Sequence, residues 1–163
     1  MDSKKLIFLA VDLNAQMAHI KAIHQKIVAR SARLQRDDET ILESIAYQIH
    51  NLYCATEDLL KIVAGYFENN ISDSSQWHSL LLQRMATEIP NIRPAFLTAK
   101  THSILNSLRG FRHFFRHAYG ATIEYDQLKS NLDKSLDLLT HLESDLEQFL
   151  SQFSKQEVDH ADS

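Results

Sequence analysis

Apolar side chains along this chain recur at alternating steps of four and three, the spacing of one helical face and not the strict alternation of a strand. The first such run covers 3–35, with Leu13, Met17, Ile20, His24, Ile27, Ser31 and Leu34 on one stripe. Asp37 and Asp38 open a second helix ending near Asn69, and Ile41, Ile45, Ile49, Leu52, Leu59, Ile62 and Tyr66 face its core. A polar stretch over 68–75 breaks the pattern, and its serines are placed to cap a short third helix over 76–88. Pro90 and Pro94 bracket an extended connection, because a residue before proline is pushed out of the helical region. Thr98 caps a fourth helix reaching Tyr119, with Gly120 as its C-terminal stop. The last helix runs over 125–153, where Leu128, Leu132, Leu139, Leu142, Leu146, Phe149 and Phe153 make a heptad-like stripe.

Three helices of roughly 28 to 33 residues, each about 42–50 Å at 1.5 Å per residue, predict an all-α, elongated up-and-down bundle of five helices. Composition sharpens this. Three glycines and two prolines in 163 residues leave too few turns for a sandwich, a barrel or a βαβ fold, and no two glycines are close enough to cradle a phosphate. The length fits a single domain over 1–154, followed by a polar tail at 155–163 that is expected to fray. One cysteine, Cys54, excludes an intrachain disulfide and fits a reducing compartment. The apolar residues at 6–11 are too few for a signal-peptide core, and no stretch approaches the roughly 18 apolar residues of a membrane span. A soluble, cytoplasmic protein is expected. The opening segment 1–13, very apolar at 6–9, has no assigned role.

Net charge is −4, but it is unevenly spread. Between Ile89 and Ile123 there is no acidic residue, while Arg93, Lys100, Arg109, Arg112 and Arg116 are all basic, leaving −9 on the remainder. A basic island on an acidic body is the footprint of a local anion site. At about 100° per residue, Leu105, Leu108, Phe111, Phe115 and Tyr119 share one side of the fourth helix. His102, Arg109, His113, Arg116 and His117 share another. Arg112 falls at the seam, where its stem packs and its guanidinium emerges among the imidazoles. Arginine forks match phosphate oxygens in pairs, and histidine exchanges protons near neutral pH. The set therefore suits phosphoryl chemistry on a nucleotide or RNA backbone, with no metal or other cofactor. The plain alternative is a basic face that only pairs with acidic residues elsewhere. A metal pair at His113 and His117 is disfavoured, because Arg112 and Arg116 flank it and no Glu follows the first His. Phe114, Gly110 and Asn106 face away from the core stripe, as on a helix held between its own bundle and a second copy.

At Arg112-x4-His117-x-Tyr119 the chain resembles the HEPN superfamily, and within it the HepT-like ribonuclease toxins of toxin–antitoxin pairs. Their pattern is Arg, four to six residues, then His, with a polar residue directly after the Arg, here His113. Trp77-His78, Leu81, Met85, Ile89-Pro90 and Arg93-Pro94 are similar to the connecting region of one HepT-like subgroup, so the likeness spans about residues 40–150. The resemblance implies a homodimer with the motif at its interface and metal-independent cleavage of RNA, tRNA or mRNA among the candidates. It assigns Arg112 and His117 as catalytic and gives His113 the role of orienting the phosphate or the catalytic His, while Arg109 and Arg116, from the basic face itself, are the further phosphate-binding candidates. It also implies a nucleotidyltransferase antitoxin that transfers AMP to Tyr119. The alternative is a noncatalytic nucleotide- or substrate-binding subunit of a minimal nucleotidyltransferase, and a third reading is a structural bundle with no ligand.

Several residues have plainer expectations. His24 reads as a packed histidine, Trp77 and His78 as packing and capping, and Cys54 as a small hydrophobe. Tyr47, Tyr53 and Tyr66 read as core or subunit contacts. Arg93 either extends RNA contact or serves as a structural hydrogen-bonder.

Overall fold

In the computed structural model the chain forms five helices: α1 (Ser3–Ser31), α2 (Glu39–Phe67), α3 (Trp77–Met85), α4 (Ala99–His117) and α5 (Tyr125–Ala161). The structure describes residues 1–68, 76–117 and 120–161, with side chains as far as Lys155 in the last span. The serine caps expected before α3 and the position of Tyr119 lie outside the described residues. The architecture is the all-α bundle that the periodicity predicts.

Helix starts follow the sequence closely. Asp2 accepts from the Lys4 backbone N–H ahead of α1, and Asp38 accepts from that of Ile41 ahead of α2, each satisfying a donor that the first turn leaves orphaned. Helix ends differ more. The chain leaves α1 at Ser31, where Arg33 and Leu34 donate to Arg30 and Ser31 in i to i−3 bonds that tighten the last turn. Helix α5 continues past Phe153 to Ala161, since the Lys, Gln and Glu that follow are good helix formers and no Gly or Pro stops them. Thr98 precedes α4, and its carbonyl accepts the first helical bond from His102. Its hydroxyl, however, binds Asp145 of α5 and Thr101 and does not cap a backbone donor.

Helix α2 is central and packs against all four others. Its stripe of Ile45, Ile49, Leu52, Leu59 and Val63 is buried, with Ile41, Ile62 and Tyr66 at the edge. From α5, Leu128, Leu132, Leu142, Leu146, Phe149 and Phe153 are buried as expected. Leu138 is fully buried and the predicted Leu139 only half so, because α5 is covered by α1, α2 and α4 and its apolar face is wider than one heptad line.

The opening segment of α1 does have a structural role. Leu9 and Leu13 are fully buried with Met17, Ile20 and Ile27, while Ile7, Phe8 and Val11 remain exposed. Contrary to the expectation from the sequence, Ser3–Ser31 is long and apolar enough, by length and composition, to cross a membrane. In this fold it packs on α2, where Gln16 donates to the Ala55 carbonyl at 2.9 Å and Tyr66 donates to Asp12 at 2.7 Å. His24 is half-buried on the packed side, as its place in the stripe implies.

The connection between α3 and α4 is more tightly folded than two flanking prolines imply. Pro90 and Asn91 form a tight turn in which the Ile92 N–H donates to the Ile89 carbonyl at 3.0 Å. Asn91 has φ 65, the left-handed conformation that a type II turn needs after proline and that Asn tolerates. Ile89 and Arg93 exchange both backbone bonds, and Phe96 and Leu97 donate to the Met85 carbonyl as they enter the core. Arg93 locks this segment. Its buried guanidinium holds Glu68 together with the carbonyls of Arg84, Thr87 and Pro94. The choice between RNA contact and structural hydrogen-bonding is thus decided for the second.

Candidate active site

Helix α4 presents two different faces because its apolar residues keep one side only. Ile104, Leu105, Leu108 and Phe111 are buried, and Phe115 lies partly buried against the core. The other side carries the basic set. His113, Arg116 and His117 are exposed at the C-terminal end, Arg109 and His102 are half-buried, and Arg112 is half-buried at the seam. The His113 and His117 rings lie one above the other with centroids 4.5 Å apart and tilted by 50°. That is the i, i+4 neighbour relation of a helix surface. Cations at a helix C-terminus are also favoured by the backbone dipole, which offsets part of the repulsion within the set.

Arg109 donates through Nε and Nη2 to Asn106 Oδ1, at 3.2 and 3.0 Å, and so leans back along the helix. Arg112 Nε is buried with no hydrogen-bond partner among the described residues. Arginine is always charged, so the half-buried Arg112 brings a fixed positive charge to the seam between the core face and the basic face of α4. Among the described residues no three His, Cys, Asp or Glu side chains converge as a metal set.

The basic face is less isolated than the sequence implies, because α2 brings its own polar residues beneath it. His50 packs its ring 5.2 Å from that of Phe115 and has Cys54 Sγ at 3.8 Å from Nε2. Burial lowers its pKa, and the Arg112 and Arg116 charges lower it further, against raising effects from Asn51 and Glu57. Tyr53 is fully buried and donates to Glu57 Oε2 at 3.0 Å. Burial and the adjacent Glu57 carboxylate hold its phenol neutral far above the ordinary tyrosine range. The same Glu57 oxygen meets His78 Nδ1 at 2.5 Å, so His78 is a hydrogen-bonding partner of Glu57 and not a helix cap. Trp77 stacks beside it at 3.9 Å, with the Lys61 ammonium over its ring. A carboxylate therefore does lie in this neighbourhood, though α2 supplies it and Tyr53 and His78 engage it. Residues 50, 53, 54 and 57 share one face of α2 at helical spacing. That polar break in an apolar helix is the signal by which the sequence could have flagged them.

Phe114 is not bare. It lines a cavity of about 250 Å³ with Glu43, Phe115, Ala121 and Ile123, so the segment after α4 folds back beside it. Gly110 is exposed, and a Cβ added there would meet nothing within 4 Å. Gly120 takes φ +74, the left-handed value that suits a residue ending a helix. A larger cleft, of about 1340 Å³, lies near the start of α4 among Met1, Ile92, Thr98 and Phe149, remote from the imidazoles.

A family model described as HepT-like protein matches residues 44–153. The chain belongs to the HepT-like family. This is a HEPN-type toxin family, which supports a toxin or ribonuclease-like role in general terms. The HepT-like match begins inside α2, takes in all of α3 and α4, and ends at Phe153 of α5, so it contains the whole Arg112-x4-His117 segment and omits α1. Neither the comparison with curated proteins nor that with solved structures finds a match.

Proposed function

We propose that this HepT-like protein is the toxin of a toxin–antitoxin pair, a metal-independent ribonuclease that works as a homodimer in the cytoplasm. The observation that carries this reading is the C-terminal end of α4, where the exposed His113 and His117 rings lie 4.5 Å apart on the helix that also carries the half-buried Arg112 and the exposed Arg116. Arg112 binds the scissile phosphate and stabilises the extra negative charge of a five-coordinate phosphorus. His117 transfers the proton, as base to the attacking 2′-hydroxyl or as acid to the leaving 5′-oxygen. His113, Arg109 and Arg116 hold the phosphate in place. The open surface at Gly110 supports approach of a second copy along the same helix, which would set two His117 imidazoles across one substrate.

The cognate partner in this reading is a nucleotidyltransferase antitoxin that transfers AMP to Tyr119. An anionic adduct beside Arg112 and Arg116 would occupy the place of the substrate phosphate. Expression of the wild-type chain is expected to arrest growth, and His117→Ala to abolish the arrest with helicity and melting unchanged. Intact mass of the chain made with its genomic neighbour should rise by whole AMP units, and Tyr119→Phe should remove the gain. A His117→Ala chain that still arrests growth contradicts the catalytic assignment. A noncatalytic binding subunit would show no arrest in either form.

A further inference from the structure

Helix α1 lies outside the family match and turns one face to the core and another to solvent. On the outer face Ile7, Phe8 and Val11 are each more than half exposed, and Val28 is 47 % exposed. Phe8, Val11, Ala15, Ala18, Ala22 and Ala29 run down that face, with Gln25 completing their spacing of three and four. No charge interrupts this line over about 32 Å at 1.5 Å per residue. Asp12, His19 and Lys26 edge it on one flank, and Ile7, Asn14, Lys21 and Val28 on the other, all of them exposed. A continuous apolar line with a seven-residue repeat and polar flanks is the seam of a helix pair, unlike the single apolar residues scattered over an ordinary surface.

We propose that this face is a contact between two copies of the chain, with α1 of one packed antiparallel on α1 of the other. Shape and charge both select that occupant and that orientation. The alanines in the middle of the line let the two helix axes approach to about 8 Å. A two-fold axis near Ala18 and His19 then sets Ala15 opposite Ala22, Val11 opposite Gln25 and the bulky Phe8 opposite the small Ala29 of the second copy. Asp12 and Lys26 lie seven residues before and after His19 on the same flank. The axis keeps like flanks together, so Asp12 of each copy meets Lys26 of the other, and Asp12 holds Tyr66 through Oδ2 only. A parallel pair would instead stack Phe8 on Phe8 and bring Lys21 beside Lys26 of the second copy, a juxtaposition of like charges. Among the described residues α1 and α4 make no contact, so association through α1 leaves the basic end of α4 open. A contact along α4 and one along α1 are compatible, and together they build an assembly larger than a dimer.

The test is sedimentation equilibrium of the full-length chain carrying Gly110→Leu, in which a contact along α4 is weakened and the remaining association reports on α1. That protein should still form dimers. Ala18→Glu sets two carboxylates against each other at the axis, and it should raise the dissociation constant about tenfold or more with helicity and melting unchanged. Lys26→Glu should also weaken association, and adding Asp12→Lys to it should restore the dimer. If Ala18→Glu fails to fold, that charge exchange decides the question alone. Orientation is read by oxidising a mixture of Ala15→Cys and Ala22→Cys chains, where the antiparallel pair gives the 15–22 disulfide. Only 15–15 and 22–22 products would overturn the arrangement. A monomeric Gly110→Leu protein, or association unmoved by Ala18→Glu and Lys26→Glu, overturns the contact itself. Binding to vesicles of equal parts phosphatidylcholine and phosphatidylserine in place of self-association would assign the face to lipid and overturn it equally.

Discussion

Arg93 and Arg116 lie in the same acid-free segment of the sequence, and the fold uses them in opposite ways. Arg93 has a side chain with no exposed surface, and its donors are divided between Glu68 and three carbonyls. Arg116 stands exposed on the ridge. Removing one member of a buried pair leaves the other charge and the carbonyls without partners, at a cost of about 3 kcal/mol or more. Arg93→Ala is therefore expected to lower the unfolding free energy by about that amount in urea, whereas Arg116→Ala stays within about 0.5 kcal/mol of wild type. Their effects on function should be reversed, with Arg116→Ala weakening RNA binding in a folded protein. Sequence patterning could not separate the two arginines. Their difference depends on Glu68, 25 residues away, and on carbonyls set by the turn at Pro90 and Asn91.

At the scale of elements, the stripes of α2 and α5 were legible because a helix buried on one side repeats its apolar residues faithfully. The same rule shows why Leu138 was missed: α5 touches three neighbours, and a wide contact face does not reduce to one heptad position. The ridge of Arg109, Arg112, Arg116, His113 and His117 was legible because it lies on one helix. His50, Tyr53, Glu57 and His78 were not, since they join the site from α2 and α3 through tertiary packing alone. Gly110 belongs to this scale too. Glycine costs a helix interior about 1 kcal/mol relative to alanine, yet among the described residues nothing lies within 4 Å of a Cβ added there. Gly110→Leu is expected to leave the monomer as stable or slightly more stable, and to weaken self-association at least tenfold by sedimentation equilibrium. Unchanged association would place the dimer contact on another face.

The whole molecule is larger than the part that matches the family. The matched region starts at residue 44, but α1 contributes Leu9, Leu13, Met17, Ile20 and Ile27 to the core. Five such side chains, at about 1.5–3 kcal/mol each, amount to about 8–15 kcal/mol. That equals the entire stability of an ordinary domain, about 5–15 kcal/mol. A chain cut to residues 44–153 is expected to lose cooperative thermal unfolding by circular dichroism, and a sharp transition in that fragment would show that α1 is an accessory. What the full bundle achieves is to pack α4 against α2 while leaving His113, Arg116 and His117 open to solvent. The most direct test of the account is RNA cleavage by the purified protein in excess chelator, comparing wild type with His117→Ala. The expected result is metal-free cleavage to cyclic-phosphate ends by the wild type and none by the folded variant. Equal cleavage by both, or cleavage that stops in chelator and returns with added metal, would contradict it.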